Sequence, residues 1–516
     1  MPASGFSRLG PLCAILLVSG AGAQRLPVPP DLQALVDGAR GQPAEFHADL
    51  LLRLAAAPHA AEAIDGAAAA AVAAGADAIR DAVTRWKREL IEEAFTVGAQ
   101  AQLPYHRWGE ANTDARASRQ FWSNNLEALT LQTRAVSAMM ALDPQRARAL
   151  FDDIRIPQVA ELKCQDFGVP DLSAYYLSAA DVFARGFTAK EREKLEHIDF
   201  LTQLIGRMQS PAHVTPMVKL LFTAPVTAEQ RQDLIFRFAA ALERVTATPR
   251  IFSALSFGLL PVSAPVKLPE GVRPLPPMLA APTPGTAPEE VAAVAPALMP
   301  ALRSYIVRFI RGPRCSEDIQ PGRLPLPAVD FNYLAGQLDP AASLYKPISE
   351  DEAKPLRDDG RQEQHWWWQS DRSRQVLMAM KWLNHGNRDL PDDQRFWTTE
   401  ERMSDEWNAH FIDTLKLIEG WKEEEEGTRE DWFGMVSESY EMLAEKAPPG
   451  KARESATVRY LNFMETHYPD IESHNLWFTQ WHEQWRSKDP WMVEQLMRSS
   501  NPVIALYAKV QKLASP

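Results

Sequence analysis

Cysteine is scarce in this 516-residue chain, which has only Cys13, Cys164 and Cys315. That excludes a disulfide-rich scaffold and any cysteine-clustered zinc site. No Asn-x-Ser/Thr acceptor occurs, and no phosphate-cradling glycine loop or Gly-x-Ser-x-Gly elbow is present. Runs of Lys and Arg are missing, and the formal net charge is -12, so a nucleic-acid backbone is excluded as the main partner. No motif calls for a cofactor. Beyond the first residues no uncharged apolar stretch is long enough to span a bilayer.

The one long apolar run is N-terminal. Arg8 precedes Leu9 to Val18, and small residues follow up to Ala21, Gly22 and Ala23. This is the layout of a secretory signal over residues 1–23, with Gln24 first after cleavage and no transmembrane anchor left. Export makes Cys164 and Cys315 the only mature cysteines, and in an oxidising compartment they are expected to form one disulfide. Closing so long a loop stabilises by about 5 kcal/mol in the chain-entropy picture. Two buried free thiols are the competing reading. The missing glycosylation acceptor suggests a bacterial periplasm or exterior.

The rest reads as helix after helix, an all-α array or bundle in two packed regions joined through Pro-rich irregular segments. Asp143-Pro144 places a capping carboxylate before a proline at the first helical position. Thr188 with Glu191, and Thr227 with Gln230, have capping-box spacing. Core stripes are expected at Leu195, Ile198, Leu201, Ile205 and Met208, and at Leu234, Phe238, Leu242 and Val245. The alanines of 67–82 predict a peripheral or closely packed helix. Residues 141–150 resemble one turn of a tetratricopeptide-type helix pair, without a sustained period.

Proline, alanine and valine dominate 261–300, which predicts an extended linker or surface excursion with helix resuming at Ala301. The expected division is an N-terminal domain over 24–345 that includes this excursion, a charged linker over 346–361, and a C-terminal helical domain over 362–516. The acidic run Glu423 to Glu426 reads as a solvated helix end.

Tryptophan marks the last region, with twelve of the fifteen at or beyond position 366. Trp366, Trp367 and Trp368 are consecutive, and on a helix they sweep about 200° of the circumference, wider than one core stripe. Trp477, Trp481 and Trp485 repeat at i, i+4 and i+8. Both sets are candidate binding surfaces, and both are also accounted for as shared core. Met403, Trp407, Phe411, Leu415, Ile418 and Trp421 form the expected inner face of one helix, and Trp432, Val436, Tyr440 and Leu443 that of the next.

Gly206-Arg207-Met208-Gln209 resembles the Gly-x-Met-Gln motif of lytic transglycosylases, which cleave peptidoglycan with one glutamic acid. Those enzymes carry a Glu-Ser pair upstream, whereas Glu438-Ser439, Glu454-Ser455 and Glu472-Ser473 all lie downstream here. Met208 also belongs to a core stripe, which makes the motif a helix end. His467, His474 and His482 lack the His-Glu-x-x-His pattern of a helical zinc site. The expectation is an exported helical binding or scaffold protein that recognises a protein partner or an envelope polymer. The alternative is a peptidoglycan- or glycan-acting hydrolase or lyase with a glutamate acid/base.

Overall fold

The computed structural model describes residues 28–71, 76–101, 126–155, 172–245, 288–314, 324, 326–354, 357–358, 370–385, 405–426, 429–447, 450–467 and 490–514. The fold is all-α. Helices α1 (Pro30–Arg40), α2 (Ala44–Ala56), α3 (Pro58–Ala71) and α4 (Ala76–Gly98) open the chain. Then come α5 (Ala128–Met140), α6 (Pro144–Asp152), α7 (Ser173–Arg185), α8 (Ala189–Glu193), α9 (Glu196–Gly206), α10 (Val214–Thr223) and α11 (Ala228–Leu242). Helices α12 (Pro288–Arg311) and α13 (Leu326–Leu338) lead to α14 (Asp371–His385), α15 (Asp405–Glu419), α16 (Arg429–Lys446) and α17 (Lys451–His467). The chain closes with α18 (Pro490–Leu496) and α19 (Pro502–Ala514).

Helix starts follow local chemistry. Asp143 accepts from the Arg146 N–H at 3.0 Å, and both capping boxes form, at Thr188/Glu191 and Thr227/Gln230. Helix ends use a less obvious device, in which an arginine reaches back to the last carbonyls of an earlier helix. Arg192 donates to Phe183 O on α7 at 2.5 Å, Arg231 to Leu221 O and Phe222 O on α10 at 2.6 and 2.9 Å, and Arg308 to Leu242 O on α11 at 2.6 Å. Each places a fixed cation at a helix's negative end and fills orphan acceptors.

Packing proceeds largely between sequence neighbours: α2 on α4, α4 on α5, α5 on α6 and α7, then α9 and α10 on α11, α11 on α12, and α12 on α13. A second group gathers around α16, which touches α14, α15 and α17. The last helix, α19, lies against α1, α2 and α3, so the end of the chain rests on its beginning. Leu506 of α19 sits where a side chain on Gly38 would fall, the prospective Cβ being 3.3 Å from Leu506 Cδ1, so glycine there permits the close approach.

Two expectations are corrected. Leu195 is not core: it is 49% exposed in the left-handed region at φ 63°, and it splits the predicted helix into α8 and α9. The break resets the register, so His197 and Phe200 turn inward beside Leu201, Ile205 and Met208. Helix α12 begins at Pro288, well before Ala301. Pro296 and Pro300 lie on its solvent side, where water serves the carbonyls they leave unpaired, while Leu298, Met299, Leu302 and Phe309 face the core. On α14 the buried face is Val376, Met380 and Leu383, and Met378 points outward at 64% exposure.

The charged stretch after α13 is tied down. Arg303 of α12 makes a two-pronged contact with Glu352 at 2.7 and 2.8 Å, and donates to Lys346 O and Pro347 O. Asn332 exchanges two hydrogen bonds with the Ile348 backbone. Pro313–Arg314 and Arg357–Asp358 form a two-residue parallel pair.

Candidate functional site: a cleft among three C-terminal helices

Apart from Met403, which lies outside the described residues, the inner faces read from sequence are buried. Trp407, Phe411, Leu415, Ile418 and Trp421 of α15 and its exit are 1 to 3% exposed, and Trp432, Val436, Tyr440 and Leu443 of α16 are no more than 6%. Because α16 is packed by α15 on one side and α17 on another, a cleft opens between those two helices with α16 as its floor. Trp432, Val436 and Tyr440 make the floor, and Trp491 of α18, half-buried, lines the same space.

The cleft has two lobes of roughly 790 and 680 Å³, and Glu419, Lys451, Ser455 and Arg459 line both. Arg459 of α17 pairs with Glu419 at the end of α15, so an ion pair bridges the cleft at its waist. Both partners are about two-fifths exposed, and the bridge holds little energy against water. Arg459 Nε also lies 3.4 Å from Ser455 Oγ. Ile412, on the α15 wall of the smaller lobe, and Val458, on the α17 wall of the larger, are among the exposed large apolar residues, at 42% and 37%.

Aromatic rings form the deep part of the larger lobe. Phe463 lies 5.4 Å from both Trp432 and Phe433, and His467 is 4.9 Å from Trp432, centroid to centroid. The indoles are already committed: Trp432 Nε1 donates to Trp421 O at 2.9 Å, and Trp421 Nε1 to Glu426 at 2.8 Å. Burial pushes the Tyr440 hydroxyl up to about 12. His467 is thus an aromatic packing partner; His474 and His482 lie outside the described residues.

The acidic run is exposed from Glu423 to Glu425, as its sequence reading has it, and only Glu426 is half-buried. Glu423 to Glu425 form a 3₁₀ turn, Glu425 pairs with Arg372 of α14 at 3.1 Å, and Glu426 accepts from Trp421 and Ser370. Glu425 and Glu426 fasten the start of α14 to the α15–α16 connection.

A desolvated carboxyl exists nearby but in another place. Glu438 on α16 is half-buried, and burial alone raises its pKa. It does not line either lobe. Its neighbour Ser439 is buried and donates back to Met435 O at 2.7 Å. At the transglycosylase-like tetrad, Gly206 ends α9, Arg207 is its C-cap and Met208 is 2% exposed, as a helix end requires.

Trp366, Trp367, Trp368, Trp477, Trp481, Trp485, Cys164, Cys315 and the signal-like residues 1–23 all lie outside the described residues. The cleft residues Ile412, Val458, Glu419 and Arg459 were not singled out from sequence. Ile412 and Val458 did leave a faint mark, since each is an apolar residue just off the buried stripe of its helix. Among the described residues no helix is long and apolar enough to cross a membrane, and no group of three or more His, Cys, Asp or Glu is placed to hold a metal ion.

No family model matches the chain, and no match was found among curated proteins or solved structures.

Proposed function

We propose that this is an exported helical binding protein, with residues 1–23 as its signal and a Cys164–Cys315 disulfide, and that it holds a protein partner or an envelope polymer in the α15–α17 cleft. The observation that carries this reading is the cleft itself: an apolar floor, aliphatic groups exposed on both walls, and charged residues at the rim. Binding sites characteristically combine an apolar surface with a few placed polar groups.

A photoreactive residue in place of Ser455, irradiated in a cell-envelope extract, is expected to yield a discrete adduct. The same residue in place of Lys354, on the exposed stretch after α13, is expected to yield none. Equal labelling at both positions, or labelling at neither, sinks the proposal. Non-reducing mass spectrometry checks the disulfide separately, and two alkylatable thiols would remove it.

The hydrolase alternative has one supporting observation, the raised carboxyl of Glu438. A general acid must share a cavity with its substrate. Glu438 stands apart from the cleft, so binding without chemistry is the better-supported reading.

A further inference from the structure

Resting on the cleft as the binding site, we infer that its larger lobe is completed by a strap anchored on the first helices of the chain. Helices α18 and α19 form one hairpin whose docking on α1, α2 and α3 positions Trp491, so that occupancy of the lobe and docking of α19 are coupled. Trp491 lines the lobe beside residues of α16 and α17. Neither of those helices chiefly holds it, because among the described residues the main packing partner of α18 is α19.

The connection makes α18 and α19 one unit. Only residues 497–501 separate them, and the N–H groups of Met497, Arg498 and Ser499 donate back to Val493, Gln495 and Leu496 carbonyls at 3.0, 3.0 and 3.1 Å. Asn501 Oδ1 then accepts from the Val503 N–H at 2.9 Å and caps the start of α19. Lys512 of α19 reaches back to Glu494 of α18 at 2.9 Å. A turn so fully bonded carries α18 wherever α19 goes.

Helix α19 in turn is seated on the beginning of the chain. Ile504, Tyr507, Ala508 and Val510 are no more than 1% exposed, Leu506 lies against Gly38 of α1, and Tyr507 meets Phe46 of α2 edge-on at 6.2 Å. The position of Trp491 is therefore set by contacts made outside the α15–α17 cleft. A ligand that touches this ring binds the docked strap more tightly than a loose one, and by thermodynamic reciprocity it steadies α19 to the same degree.

Hydrogen exchange by mass spectrometry on the full-length protein tests the strap with Leu506→Ala and Gly38→Val, two changes at the α1–α19 contact. Helices α18 and α19 are both expected to exchange at least about tenfold faster, with α16 and α17 changed less than about twofold. If α18 keeps its protection while α19 loosens, the inference is overturned; so it is if α19 is unmoved in both variants, or if all four helices quicken together. For the coupling, the envelope-extract adduct at position 455 is expected to fall at least about tenfold in Leu506→Ala and in Trp491→Ala, and to persist in Trp491→Phe. A wild-type adduct that persists at full yield in Leu506→Ala or in Trp491→Ala overturns the coupling and leaves the cleft as the binding site. No adduct in wild type removes both.

Discussion

Asp49 of α2, with no exposed surface, receives Arg134 of α5 at 2.5 Å on one carboxylate oxygen and Arg53 of its own helix at 2.8 Å on the other. Tyr507 of α19 is buried beside the same group, and burial raises its hydroxyl pKa well above normal. Arg53 stands over the Tyr507 ring at 5.5 Å. One carboxylate therefore joins three helices from both ends of the chain. Removing one member of a buried charge network strands the others, which costs about 3–5 kcal/mol. Asp49→Ala is expected to lower unfolding stability by that order, and a double-mutant cycle with Arg134→Ala should show strong coupling. Additive losses in denaturant titrations would contradict the network.

Leu195 occupies the left-handed region without a functional partner to explain it. That conformation costs a non-glycine residue about 1–2 kcal/mol, whereas glycine's extra chain entropy costs about 0.5–1. Leu195→Gly should therefore stabilise by about 0.5–1 kcal/mol, since the lost side chain is about half exposed and gives up little burial. A lower midpoint in urea would show that the strain is not there.

Tyr176 Oη and His213 Nδ1 are hydrogen-bonded at 2.9 Å in the core, and burial lowers the histidine pKa from 6.5 to about 4. The unfolded chain takes up this proton near pH 6.5 and the folded one only near 4. The stabilisation is full above pH 6.5 and is lost as pH falls towards 4, amounting to roughly 3 kcal/mol. Denaturant titrations at pH 7 and pH 4.5 should show the decline, and His213→Asn should flatten it. An unchanged slope in the variant would assign the loss to other titrating groups, and Glu352 is not among them. The Arg303 guanidinium holds that carboxyl down to about 2, so its contribution survives until pH falls well below 4.5.

Arg231 is buried, and its guanidinium serves three carbonyls at the end of α10. Replacing it with methionine keeps most of the packing volume but leaves those acceptors unserved. The expected loss is about 2–3 kcal/mol. Amide exchange should quicken first in α10, and a change confined to α11 would argue against the cap.

Much of the fold was legible because its determinants are local. Capping pairs at Thr188 and Thr227, the Asp143 cap, and the stripes of α11, α15 and α16 depend on residues three or four apart, and those all formed. The Leu195 break was not legible, because nothing in its neighbours announces a positive φ. The helical prolines at 296 and 300 were not legible either, since their tolerance depends on which side of α12 meets water.

By itself the sequence determined the helical class, the helix starts marked by Asp143, Thr188 and Thr227, and the inner faces of the C-terminal helices, because hydrophobic period and capping act within a turn or two. Tertiary structure decided that α19 returns to α1, α2 and α3, that Asp49 meets Arg134, and that α15 and α17 splay over α16. The cleft belongs to that second class. Ile412, Val458, Glu419 and Arg459 acquire a common role only when helices distant in sequence share a floor, and no periodicity along one helix encodes that meeting.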